Sequence, residues 1–164
     1  MSLSQSKVRH LVILVSGLCY VAALPMPALL FSAHAPVRGI TALLWGWWGV
    51  LSGDLPWFAN PLYFLALGLL LFRFHKTAQV LSALALGLGI RSLYVPDWYF
   101  NEAGGTPIAA LGLAFYFWMG SFVLLLIGSA VVQWTRRQTS DEGMPAPPMK
   151  LGGSVTPLQP PRCA

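Results

Sequence analysis

Two uninterrupted apolar runs constrain this chain more than any other feature. Residues 11–31 are 21 positions without a charge, and residues 108–134 are 27. At 1.5 Å per residue the first run makes a helix about 31 Å long, enough for a hydrocarbon core of about 30 Å. Only 9% of the chain is charged, against about a quarter in soluble domains. The sequence therefore predicts an all-α integral membrane protein, in which each helix satisfies its own backbone.

Polar punctuation divides the rest. Spans are predicted at about 11–31, 56–74, 77–95 and 108–134. Pro25 and Pro27 are expected to kink or end the first near its far side. Asn60-Pro61 and Thr106-Pro107 read as N-cap and first-turn pairs opening the second and fourth. Between the first two spans, about 40–53, Ile40, Leu43, Leu44, Trp47, Trp48 and Leu51 recur at helical spacing. Thr41, Gly46, Gly49 and Ser52 form the opposite face. This stretch is too short to cross, so it is predicted to lie as an amphipathic helix on the periplasmic surface, rimmed with indoles. Residues 1–137 form the expected four-helix membrane domain. Residues 138–164, with six prolines, are expected to be a disordered cytoplasmic tail.

Basic residues set the orientation. Lys7, Arg9, Arg73, Lys76, Arg136 and Arg137 fall on one side of four spans, while Arg38 and Arg91 fall toward the other. The positive-inside rule then places both termini in the cytoplasm of a bacterial inner membrane. A fifth crossing at 40–58 would put Arg73/Lys76 and Arg136/Arg137 on opposite sides. Ala33-His34-Ala35 has the form of a leader-cleavage site. The preceding apolar run is longer than the usual h-region of about 7–15 residues and Pro36 follows, so the N-terminus is expected to be retained. The net charge of +5 flanks apolar runs and reads as a topological signal rather than a nucleic-acid footprint. Cys19 and Cys163 form no paired motif.

Candidate chemistry gathers on the outer side. Asp54, Asp97 and Glu102 are the acids outside the tail. Arg91, near the outer end of the third span, is expected either to pair with Asp54 or Asp97 or to reach water with its long side chain. Trp45, Trp48, Trp57 and Trp98 suit an interfacial belt or the walls of a lipid site. The candidate ligand-binding set is thus Trp45, Trp48, Asp54, Trp57, Arg91, Asp97, Trp98 and Glu102. No phosphate loop, nucleophile elbow or zinc-protease motif is present, and neither metal nor cofactor is expected. His10, His34 and His75 lie outside the spans, against a buried haem pair. The leading expectation is a non-enzymatic inner-membrane protein that binds a membrane partner through its spans and aromatic cap. Ala83/Gly87 and Ala85/Gly89, four apart on one helix, permit such a contact or self-association. A binder of lipid or an apolar small molecule is the second expectation, and an enzyme with an outward-facing carboxylate site the third.

Overall fold

A computed structural model describes residues 5–100 and 104–142. It is mostly helical, at 71%. Five α-helices carry the fold: α1 Gln5–Ala23, α2 Gly39–Trp45, α3 Ala59–Leu71, α4 His75–Arg91 and α5 Leu113–Glu142. 3-10 turns at Gly46–Ser52, Pro56–Phe58 and Ser92–Tyr94 join them at one end.

The apolar runs form helices, but not over their full length. α1 stops at Ala23, two residues before Pro25, and Pro27–Leu30 becomes a strand, β1. It pairs antiparallel with β2, Val37–Arg38, and with β5, Ala110–Leu111. A second ladder joins β3, Asp97–Trp98, to β4, Thr106–Pro107. Thr106-Pro107 is therefore a strand and not the expected helix start, and α5 opens at Leu113. The physical reason lies in the prolines. They deny the ends of both runs a helical N–H, and the stranded backbone groups satisfy one another across the ladder. Gly112 makes this junction possible, because a side chain there would strike the Pro27 carbonyl oxygen. The fold is all-α as expected, with short ladders of two to four residues at one end, and α1 and α5 are the helices formed within the runs 11–31 and 108–134 and their flanks. At its far end α5 continues through 138–142, so these first five residues of the expected tail are helical. Residues 143–164 lie outside the described residues.

α1 packs along α5, α5 along α4, and α4 along α3, each pair antiparallel. Small residues set the spacing. Ala78, Ser82, Ala85 and Gly89 line the buried face of α4 at alternating four- and three-residue steps. Opposite them, Phe122 and Leu125 of α5 are fully buried. A side chain added at Gly89 would meet the Met119 sulfur at 2.7 Å and the Phe122 ring at 3.3 Å. The Ala85/Gly89 pair is therefore consumed inside the bundle. Ala83 is exposed on the outside of the same helix, and nothing lies within 4 Å of a side chain added at Gly87.

The buried serine and tyrosine hydroxyls at mid-bundle are bonded, as burial demands. Ser16 of α1 donates to the Ser121 carbonyl at 2.8 Å, which leaves its oxygen to accept from the Tyr63 hydroxyl, also at 2.8 Å. The Tyr63 ring stacks on Tyr20 with centroids 4.9 Å apart. The outside is the reverse. Leu11, Leu14, Leu18, Phe64, Leu65 and Ile127 are among the large apolar side chains that stand exposed, far more than a monomer in water tolerates.

Two helices are long and apolar enough to cross a membrane, over Ser6–Ala23 and Leu113–Thr135. Only 17% of the first stretch and 33% of the apolar window in the second are buried within the molecule, so neither is the enclosed core helix of a soluble domain. Both features are consistent with membrane association. The two other expected spans are shorter. The apolar stretch through α3 is Pro56–Leu71, and α4 has 17 residues beginning with His75 and Lys76.

Candidate functional site

At the end of the bundle opposite Lys7, Arg73 and Lys76, the connections between helices form a cap, and a cavity of about 180 Å³ lies beneath it. Its floor is the top of the helical core, and its walls are the cap.

The cap begins where α2 gives way to a 3-10 turn at Gly46. Glycine is a poor α-helix former, and here its absence of a side chain has a use. A carbon added at Gly46 would come within 2.9 Å of the Trp57 indole, and one at Gly49 within 3.2 Å of Asp54. Gly53, at φ 82°, ends the turn in the left-handed region. Gly46 and Gly49 of the expected small face therefore turn inward, while Thr41 is exposed. Much of the expected apolar face turns away from the protein, with Leu44 60% and Leu51 75% exposed. The single amphipathic helix expected over about 40–53 is broken, α-helical to Trp45 and a 3-10 turn from Gly46. Its direction is inverted relative to a soluble helix, because Gly46 and Gly49 let Trp57 and Asp54 approach.

Trp57 fastens the cap. Its indole nitrogen donates to the Leu43 carbonyl at 2.7 Å, tying the end of α2 to the start of α3. Below it, Asn60 occupies the centre of the floor. Its amide oxygen accepts from the Tyr20 hydroxyl at 2.7 Å and from the Trp118 indole at 2.8 Å. Its amide nitrogen donates to the Trp57 carbonyl at 2.9 Å. One side chain thus joins α1, α3, α5 and the cap. Asn60 was expected as a helix N-cap, but it makes no capping bond.

Six of the eight expected site residues line this one cavity: Trp45, Trp48, Asp54, Trp57, Asp97 and Trp98. They come from the end of α2 and from two connections, α2 to α3 and α4 to α5. Asp97 and Trp98 are placed by the β3–β4 ladder, where the bare Gly105 leaves room for the Asp97 side chain. Arg91 does not join them. It is the last residue of α4, exposed and outside the lining, and among the described residues no ion pair ties it to Asp54 or Asp97. The expected latch between Arg91 and the cap is therefore not formed, since at a helix end its long side chain reaches outward. Glu102 lies outside the described residues. Sequence reading missed Tyr20, Asn60 as a floor residue, and Trp118. A tyrosine and an asparagine that two helices must bury together were a usable signal.

The site brings together acceptors and aromatic faces rather than a reacting set. No group of three His, Cys, Asp or Glu side chains among the described residues could hold a metal ion. Comparison with protein-family models, with characterised proteins and with solved structures finds no match. Function is therefore read from the site itself.

Proposed function

We propose that this chain is a non-enzymatic membrane protein whose capped cavity binds a lipid chain or another small apolar molecule. The observation that carries this reading is the cavity: about 180 Å³, walled by indoles from α2 and two connections and closed below by a hydrogen-bonded polar floor. An apolar cavity of about 150 Å³ already admits a benzene-sized guest. Packing at ordinary density leaves no such space. A four-span arrangement in a bacterial inner membrane, both termini cytoplasmic, accompanies the proposal. The grouping of Lys7, Arg9, Arg73 and Lys76 away from the cap supports it. In that arrangement α3 and α4 are short for the bilayer, so local thinning or tilt of neighbouring lipid follows. Ser16 and Tyr20 bond into the interior, which supports keeping α1 after export rather than losing it as a leader.

Binding by a membrane partner is a second reading. The outward Ala83/Gly87 pair on α4 favours it, because two such residues let another helix approach closely.

The test of the first reading is titration of the purified protein with 1-bromohexane, whose heavy atom quenches nearby indoles. Saturable quenching is expected. Ala42, which lines the cavity, offers a way to fill it, and Ala42→Phe should abolish saturation. Quenching that rises linearly and equally in both proteins would refute the reading.

A further inference from the structure

We infer that the cavity selects a cationic amphiphile, a molecule joining a short apolar chain to a primary or quaternary ammonium group. This rests on the cavity being a binding site and adds the chemical class of its ligand.

Among the described residues no lysine, arginine or histidine lines the cavity, and the charged side chains in its wall are Asp54 and Asp97. Among the described residues neither carboxylate accepts a hydrogen bond or joins an ion pair. The cations nearby in sequence, Arg38 and Arg91, are exposed and lie outside the lining. The aromatic donors of the floor are already committed. The Trp57 indole gives its hydrogen to Leu43, and the Trp118 indole and Tyr20 hydroxyl give theirs to Asn60. A ligand entering this space therefore meets two free carboxylates, while the donors left to it, the second hydrogen of the Asn60 amide and the wall indoles, are all neutral.

The aromatic walls point the same way. Trp45, Trp48, Trp98 and Tyr99 stand in the lining with the two carboxylates. The face of an indole attracts an ammonium ion through its quadrupole, and tryptophan does this best among the aromatic side chains. A cation here is drawn by the rings and by the carboxylates together. An anion is repelled by both. The apolar remainder of the space, with Leu24, Leu29 and Phe115 on its sides, suits a hydrocarbon tail. The two halves of the lining thus match the two halves of an amphiphile.

Three probes with matched six-carbon chains separate these ideas: hexyltrimethylammonium, 1-hexanol and hexanoate. Each is titrated at neutral pH and low salt into the full-length protein in nanodiscs of neutral lipid, following indole fluorescence. The ammonium is expected to bind about tenfold more tightly than hexanol, the scale of one desolvated cation–π contact, and hexanoate more weakly than hexanol. In Asp54→Asn and Asp97→Asn the preference for the ammonium should fall several-fold. The reading is the ratio of ammonium to hexanol binding within each variant, so a change in the cavity that is common to both probes cancels. Equal binding of ammonium and hexanol by the unaltered protein would overturn charge selection while leaving an apolar binding site in place. A full ammonium preference in both Asn variants would overturn the role of the carboxylates. No saturable response to any probe would overturn the binding site itself.

Discussion

At mid-bundle, Ala78, Ser82, Ala85 and Gly89 give α4 almost no side-chain bulk, and α5 closes on them with Phe122 and Leu125 until nothing is exposed. A few turns away, Trp45, Trp48, Trp57 and Trp98 stand around a space of about 180 Å³. The packed half uses small residues to bring backbones together. The capped half uses large ones to hold backbones apart, and it fixes them with short ladders and a few side-chain hydrogen bonds. Close packing leaves no room for a guest, and a cap of connections leaves room at the expense of regular structure. A site is expected in the second kind of region, where functional groups sit on connections held by a rigid scaffold.

Asn60 is where the two halves meet, so its replacement should have the largest effect. Asn60→Leu strands the Tyr20 hydroxyl and the Trp118 indole. With each unpaired buried donor costing about 1–3 kcal/mol, the loss should be about 3 kcal/mol. Thermal unfolding in mild detergent measures it. A change under about 0.5 kcal/mol would mean that the floor does not join the halves.

Two glycines on α4 sharpen the contrast. Gly89→Leu drives branched carbons at the Phe122 ring and should cost about 2 kcal/mol by overpacking. Gly87→Ala meets open space and should gain up to about 1 kcal/mol, because alanine is the better helix former. Equal effects at the two positions would contradict the assignment of inner and outer faces. A Gly87→Leu protein that changes its oligomeric state would favour the partner reading.

Much of the helical scaffold was legible in the sequence. The charge-free runs report α1 and α5 because nothing but a regular backbone fits so many apolar residues in series. The ladders were not legible. Pro27 and Thr106-Pro107 carry the same local signals whether they end a helix or start a strand, and only the partner segment decides between them. The cap shows the same division. Its indoles and acids stood out by type, and six of them line one cavity. Asn60 was read locally, as a cap for its own helix, although its bonds run to Tyr20 and Trp118, 40 and 58 residues away. Arg91 was read as either pairing with Asp54 or Asp97 or reaching water, because a charge near a span end can be satisfied both ways. Its exposed place at the helix end corrects the first in favour of the second.

The smallest effect follows from this correction. Arg91→Ala should change stability by no more than about 0.5 kcal/mol, as for a surface site without partners. Double-mutant cycles with Asp54→Ala and Asp97→Ala should be additive. A coupling above about 1 kcal/mol would restore the latch.

The central claim is that the space beneath the cap receives a ligand, and fluorine NMR of protein labelled with 5-fluorotryptophan tests it most directly. The seven tryptophans are assigned by single replacement with phenylalanine. On titration with 1-bromohexane, the signals of Trp48, Trp57 and Trp98 should move and saturate together, as they share one cavity. Trp134, exposed far along α5, should stay in place. A uniform drift of all seven signals without saturation would contradict the claim.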